Sequence, residues 1–519
     1  MKQRSSWLIV ALLILAHAVE AQLAPVTVPA GAFRIELGGE FRNADSRFNG
    51  GTTEDIARPF TTIPLGSEFF PTLRISESRV AAMIGNAGYR LNLGRSTANG
   101  LINIGTATVG VSYGLTSRIT VFAAVPIVRT RMQLSFRLDS TGADAGINPN
   151  NPALGTVVGQ VQTASFFSEF DAALVTLTNN IANGVYDSDP QQLALAQQAL
   201  AEGTSLRNGF DLVLNDPDAP FVPTAGSTTG VAIKDTVTNF QNTLNSLGVP
   251  GFTTTPALAA NALTPAEFDN LLTVAGGPVQ GFPLREATLN LLGDIEGGVS
   301  YLLADTWFRE GKPGGFRAAL TATMRLPTGE MDRPENFLDI GTGTGHFAAR
   351  VGGTIDVGRG RLGSRMTASY EHTFAAVLAR RIAGPAQPVP FASALRDLRR
   401  SPGGVIDLSL TPFFRLGSTL GVTGGVRYRT RSRDEVSLAT DGDDPLPGID
   451  PAVMAEGTDW SLTSFLAGVT YTSPAAADLA RPGFPVEASW TVEGPLAGSG
   501  GIVAKERIMR IQFRMYMRL

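Results

Sequence analysis

The chain has 519 residues, no cysteine, 58 glycines and a formal net charge of −4. Its mean hydropathy, +0.08, is too low for a helical membrane protein of this size, and the near-neutral charge supplies no basic surface for nucleic acid. An exported chain without cysteine has no disulfides, so its stability must come from the way its backbone closes.

The chain opens with a basic stretch, Met1 to Arg4, and a short apolar run, Trp7 to Ala16. Val19, Glu20 and Ala21 then precede Gln22 with small residues where a signal peptidase reads them. This pattern predicts a signal peptide over residues 1–21 and a mature chain over 22–519. The apolar run is shorter than the roughly 20 residues a membrane helix needs, and no later stretch reaches that length. Any membrane crossing must therefore be made by strands.

Phe33, Ile35, Leu37, Gly39 and Phe41 alternate with Arg34, Glu36, Gly38, Glu40 and Arg42, which predicts a first strand. Residues 43–100 read as an irregular connection with a short helix over 76–87. Ala107 to Tyr113 and Ile119 to Ile127 form two strands around the turn Gly114-Leu115-Thr116-Ser117. At Pro126 the apolar phase slips by one: Val128, Met132, Leu134 and Phe136 now alternate with Arg129, Arg131, Gln133 and Arg137. A one-residue slip at a proline predicts a β-bulge.

Residues 139–290 break the alternation and carry helix punctuation. Thr264-Pro265-Ala266-Glu267 and Ser188-Asp189-Pro190-Gln191 read as capping boxes. Helical spacing covers 166–181, 191–201 and 237–247, with Gly184, Gly203 and Gly248 as stops. The segment is expected to be a partly helical extracellular insertion, with a separate soluble domain as the alternative. Phe166, Phe167, Phe170 and Leu174 give it an apolar face to dock on the barrel mouth.

Alternation resumes at Asp294 and continues through strands near 316–326, 347–357, 366–374, 406–415, 420–431, 465–471 and 486–492. It ends with Met509 to Leu519, where Met509, Ile511, Phe513, Met515 and Met517 alternate with Arg510, Gln512, Arg514, Tyr516 and Arg518. Arginine on one whole side of a strand suits a water-filled lumen. At the lipid midplane it would cost roughly 2–4 kcal/mol per residue. The expected fold class is an all-β transmembrane antiparallel barrel of about twelve strands. Connections after even strands are short and those after odd strands mostly long, which places both termini in the periplasm and the insertion outside. The parity makes Arg34, Glu36, Glu40, Arg42, Glu296, Arg317, Arg325, Arg350, Arg365, Glu371, Asp407, Arg427, Arg429, Arg510, Arg514 and Arg518 the lumen-facing candidates. Closure should pair the last strand with the first, bringing Arg514 to the level of Glu36 and Glu40.

Leu292-Gly293-Asp294-Ile295-Glu296-Gly297-Gly298-Val299-Ser300-Tyr301, Leu326-Pro327-Thr328-Gly329-Glu330, Gly341-Thr342-Gly343-Thr344-Gly345, the Tyr113 to Arg118 turn and Val125-Pro126 resemble the outer-membrane family linked to the meta-pathway of phenol degradation. The resemblance covers less than half of the chain. It implies an outer-membrane barrel that transports hydrophobic or aromatic compounds, and carries over no catalytic residue. The long insertion and the non-aromatic Leu519 depart from the family pattern.

Few motifs carry chemistry. Gly341 to Gly345 precedes a strand, whereas a phosphate loop opens a helix, so it reads as a hairpin loop. Gly311-Lys312 has Thr306 where a P-loop has its first glycine. Asp441, Asp443 and Asp444 are acidic loop residues with the oxygen ligands calcium takes, and a solvated loop is the preferred reading. His372 shares the outward parity of Tyr370 and Phe374, and His346 begins its strand beside Ser and Asp residues of the loops, where a barrel lipase would need a nucleophile. The chain is expected to be a non-enzyme with no cofactor: a bacterial outer-membrane channel or transporter for small hydrophobic or aromatic molecules. The alternative is a structural or surface-binding barrel whose insertion binds a partner. Expected partners are outer-membrane lipid, the barrel-assembly machinery and a small hydrophobic solute, without nucleic acid.

Overall fold

The computed structural model describes residues 25–518 except 68, 71–72, 274–285, 308–313, 337, 383–393, 418, 440–449, 478 and 480–481. The proposed leader, Lys312 and the acidic residues Asp441, Asp443 and Asp444 lie outside the described residues.

Twelve antiparallel strands close into a barrel: β1 (Ala32–Ala44), β2 (Arg95–Gly114), β3 (Ile119–Asp139), β4 (Glu296–Asp305), β5 (Gly314–Arg325), β6 (Ala348–Arg359), β7 (Leu362–Thr373), β8 (Val405–Arg415), β9 (Leu420–Arg431), β10 (Trp460–Thr472), β11 (Val486–Gly500) and β12 (Arg507–Arg518). Each pairs with its neighbours in sequence. Ala287–Leu292 runs ahead of β4 against the same partner, β3. β12 returns to β1, in register from Ala32↔Arg518 to Asn43↔Arg507. This removes both sheet edges, the condition for backbone to sit in hydrocarbon. On the outward face Leu37, Phe41, Val109, Ile127, Leu320 and Ile511 are each about half exposed, an apolar belt made for lipid.

Residues 115–118 and 360–361 turn tightly at the end where β1 begins and β12 ends. The opposite end carries the long connections 45–94, 140–286, 326–347, 374–404 and 432–459. Two of the latter contribute strands where the sequence reading saw only loop: Ala376–Arg381, Leu395–Ser401 and Glu435–Leu438 form a three-stranded sheet. Asp434 at its base accepts from the Arg400 guanidinium at 2.6 Å, the Arg431 guanidinium at 2.6 Å and the Gly403 amide at 2.9 Å.

β2 and β3 are 20 and 21 residues long, about twice the 9–11 a tilted strand needs to cross a bilayer. They project beyond the membrane as a hairpin, and this corrects the bulge expected at Pro126. The β2–β3 register runs from Arg95↔Asp139 to Gly114↔Thr120 without a shift. The odd residues of β3 therefore keep one face throughout. That face changes from apolar to arginine because it leaves lipid for water. The inward face turns apolar because it meets a protein core. The register irregularity lies on the partner strand: between the pairs Ala124↔Glu296 and Ile127↔Leu292 the chain before β4 takes one residue more than β3. β2 likewise starts at Arg95, eleven residues before the alternation becomes visible near Thr106.

The core beyond the membrane joins two connections. Helix α1 (Leu73–Met83) comes from 45–94. Helices α2 (Val157–Ala182), α3 (Pro190–Leu214), α4 (Thr228–Ser246) and α5 (Pro265–Thr273) come from 140–286. Phe166, Phe170, Phe210, Phe240 and Phe252 are buried together with Leu65, Leu73, Leu91 and Leu93. Arg79 reaches Asp216 at 3.3 Å, and the Phe221 amide donates to Ser76 Oγ at 3.3 Å. The unit rests on the inward side of the projecting hairpin, where the Phe136 ring lies 5.8 Å from Phe60, 5.7 Å from Phe69 and 5.0 Å from Phe268. Phe166, Phe167 and Phe170 are thus spent inside this unit, on Phe210 at 5.1 Å and Phe240 at 5.4 Å among others, and leave no apolar face for the barrel mouth.

The helix punctuation is partly as read. Thr264 and Glu267 exchange capping-box bonds at 2.8 and 3.2 Å, and Gly184 and Gly248 follow their helices at φ +72° and +73°. Ser188 does not cap α3. Asp189 does, its carboxylate accepting from Gln191 and Gln192 amides at 2.9 and 3.3 Å. Gly203 stops nothing and lies inside α3, because a Cβ there would be 2.4 Å from Cζ of Phe240. Gly203→Val should overpack the α3–α4 crossing and cost the helical unit about 1–3 kcal/mol. Limited proteolysis should then cleave within 140–286 faster, while the heat-modifiable band of the barrel is unchanged.

Candidate functional site

The polar positions of the strands, opposite the belt, meet one another in ion pairs that cross strand boundaries. At the seam Glu36 is level with Arg514 and Glu40 with Arg510, at 3.0 and 2.5 Å. Arg34 flanks Glu36 at 2.6 Å, and Arg42 bonds Glu40. Arg510 also reaches Glu493 on β11 at 2.8 Å. Glu493 takes Arg427 at 3.0 Å and lies 3.7 Å from Arg429. Arg427 passes across β10 to do this, opposite Ser464, whose short side chain leaves room. Its Nε also bonds both oxygens of Asp407 at 3.0 Å. A continuous chain of charge therefore runs from β1 through β12, β11 and β9 to β8.

Further pairs lie on β4 to β7. Glu371 accepts from Arg325 at 2.9 Å and Arg350 at 2.6 Å, with Glu296 3.6 Å from Arg350. Asp356 holds Arg365 at 2.6 and 2.8 Å. Arg317 stands 3.9 Å from Asp356 and 3.2 Å from Asp305. Of the candidates, Arg518 takes no part in the ladder: it is exposed at the strand end opposite Ala32. Sequence reading passed over Glu493, Glu487, Asp305 and the pairing role of Tyr516, whose hydroxyl donates to Glu487 at 2.8 Å. The signal was available, since Trp490 and Val492 face outward and odd-numbered Glu487 and Glu493 must then share the other face.

The polar faces of β2, β3 and the middle of β4 are free of charge. Thr106, Thr108, Gly110, Ser112, Phe122, Ala124 and Ser300 stand there. Between this neutral wall and the charged one lies a cavity of about 470 Å³. Residues of β1, β2, β3, β4, β5, β7 and β12 line it, so it lies inside the ring of strands. The segment before β1 closes its short-turn end. Pro25 and Val26 touch the cavity and Val28 is buried. The Arg34 guanidinium donates to Pro25 O at 2.7 Å, the Val28 amide to Thr120 Oγ1 at 2.8 Å and the Gly31 amide to Gly114 O at 2.9 Å. Position 114 must be glycine for this strap to fit, because a Cβ would lie 2.1 Å from Pro29 O.

The remaining motifs are structural. Asp294 is wrapped by the glycine-rich loop and accepts from Gly329 and Thr344 amides at 3.0 and 2.9 Å. A Cβ at Gly343 would lie 2.6 Å from its Oδ1. His346 is buried with Nδ1 2.9 Å from Phe374 O, and burial holds its pKa below the ordinary histidine value. His372 is exposed on the outward face, with its ring edge-on to Phe374 at 4.9 Å.

No protein-family model matches the chain, and no curated protein does. The chain bears a distant likeness to several solved structures. An outer-membrane channel from Pseudomonas putida F1 is 8% identical, with 96% of this chain and 100% of that one covered and a TM-score of 0.42. The translocator domain of the autotransporter NalP from Neisseria meningitidis is 7% identical over 94% and 90%, at 0.30. The toluene transporter TbuX from Ralstonia pickettii is 9% identical over 94% and 90%, at 0.27.

The seam ladder generates a test. Glu36→Arg together with Glu40→Arg puts four more like-charge contacts beside Arg34, Arg42, Arg510 and Arg514, and should lower the yield of the folded, heat-modifiable band several-fold. Adding Arg514→Glu should restore only part of it: the new carboxylate faces the guanidinium introduced at position 36, while Glu487, level with position 514, opposes it.

Proposed function

We propose that the chain is a bacterial outer-membrane channel for small hydrophobic or aromatic molecules. The observation that carries this is the interior cavity between a charged and a neutral wall. It is closed at the short-turn end by the strap 25–31 and overhung at the other by the helical unit. Twelve strands give a bore between the side-chain-filled eight-stranded barrel and the open porins of about 16–18 strands. An ordinary hydrated solute finds the charged wall already paired and the lumen narrow. A flat aromatic can lie on Phe122 and Ala124 while its π face meets the guanidinium of Arg510 or Arg514, an attraction that strengthens where water is scarce. The resemblance of the Asp294 and Gly341 segments to the phenol-degradation family supports an aromatic solute.

Even strand number and loop asymmetry support short turns in the periplasm and the helical unit, built from 45–94 and the insertion 139–290, outside the cell. Outer-membrane lipid and the assembly machinery are then its partners in biogenesis. A second reading rests on the helical unit, which has its own core and leaves Val157, Val158 and Val161 exposed at the start of α2: a barrel that displays a binding module.

Liposomes carrying the protein test the channel. After the uptake of protein-free liposomes is subtracted, that of a monoaromatic such as toluene should exceed that of a sugar of similar size, and removing residues 25–31 should raise both. No flux of either solute, with or without the strap, would favour the display reading. Protease added to intact cells should cut within 140–286, and cutting only after the outer membrane is opened would reverse the topology.

A further inference from the structure

On the outward face the apolar belt ends abruptly at the long-loop end. Arg129, Gly105, Phe41, Met509 and Val492 form one row across five strands, each directly opposite the next. The row beyond it is Arg131, Asn103, Asn43 and Arg507. The pairing of β11 with β12 stops at Glu493↔Ile508, and the two strands part there. The result is a groove of about 840 Å³ on the membrane border. Phe41, Met509, Val492 and Phe465 floor it, and Gly105 adds depth because it puts no side chain into it.

The rim is basic. Arg129 and Arg507 are exposed, and neither pairs with a carboxylate among the described residues. Arg131 bonds Glu286, which also accepts from Gln133 at 3.1 Å. Lys505 completes the rim, its ammonium 3.2 Å from Thr53 Oγ1 and 4.9 Å above the Phe48 ring. Of the charged lining, Arg42 and Glu493 belong to the inward ladder, and the four outward cations stand over the apolar floor with Glu286 paired to one of them. Unpaired arginines at a lipid border are placed for an anion that the bilayer itself supplies.

We propose that this groove binds a phosphate-bearing lipid with several acyl chains, from the leaflet at the long-loop end. Its phosphate bridges Arg129, Arg131 and Arg507, and its chains lie along Phe41, Met509, Val492 and Phe465. The aromatic and aliphatic floor selects a lipid over free phosphate. The guanidiniums select an anionic headgroup over a zwitterionic one, since their planar forks match phosphate oxygens two at a time.

The test uses the full chain in detergent, with native mass spectrometry as readout and bis-phosphorylated lipid A, phosphatidylcholine and inorganic phosphate as probes. Wild-type protein should retain lipid A, in preference to phosphatidylcholine, at one molecule per barrel, and millimolar inorganic phosphate should not displace it. Arg129→Ala with Arg507→Ala should weaken retention roughly thirtyfold. The heat-modifiable band should persist, which separates lost binding from lost folding. Equal retention of phosphatidylcholine, displacement by inorganic phosphate, or unchanged retention by the folded double variant would each overturn the proposal.

Discussion

Everything in this molecule depends on one requirement: no backbone amide or carbonyl can be left unpaired in hydrocarbon. Residues 32–44 and 507–518 stand at opposite ends of the described chain, yet they form one continuous antiparallel ladder. Until that ladder forms, β1 and β12 are open edges. The charges along it are placed where their pairing adds to closure. Glu36 and Glu40 meet Arg514 and Arg510 at matching levels, on the face away from lipid. The ion pairs are not the main source of stability, since buried pairs largely offset their own desolvation. Their role is register. A slip of one residue along the seam would place every arginine of β12 against the wrong partner and turn its charged face to the lipid.

The same rule sorts the interior. The inward arginines Arg317, Arg325, Arg350, Arg365, Arg427, Arg429, Arg510 and Arg514 each find a carboxylate on a neighbouring or next-neighbouring strand, and some carboxylates are shared. Glu493 serves three arginines and Glu371 two. Sharing keeps each of these guanidiniums beside a carboxylate, and leaves the cluster around Glu493 richer in arginine than in carboxylate. Opposite stands a wall of threonine, serine, glycine and alanine. The lumen therefore has its charge gathered on one wall and a neutral surface on the other.

What could be read from the sequence follows from where each segment sits. Inside the membrane the environment has two states, lipid or lumen, so period-two alternation marked every spanning strand. Outside it, the signal is uneven. Residues 95–100 belong to β2 and alternate in burial, but their buried side is the small residues Ser96, Ala98 and Gly100, packed close against residues 56–60, so no apolar alternation shows in the sequence. The switch at Pro126 looked like a bulge because the pattern inverted, although the backbone continued unbroken; only the medium changed. Gly203 looked like a helix stop because packing against Phe240, a residue far along the chain, is invisible to local pattern. Glu493 was overlooked for a different reason: attention to apolar positions identified the outward face of β11 and left the inward face unread.

The helical unit has a consequence for biogenesis. Its core draws on α1 and Leu91 from before β2, on Ala98 and Leu138 from the hairpin itself, and on α2–α5 from after β3. No stretch of the chain on its own contains that core. In the proposed orientation all of it lies on the far side of the membrane from where synthesis delivers the chain. The segments must therefore cross as unfolded polypeptide, and the hairpin that seeds their core must arrive with them. The largest soluble-like part of the protein can acquire its shape only after the membrane has been traversed, so insertion and folding of residues 45–286 are a single coupled event rather than two successive ones.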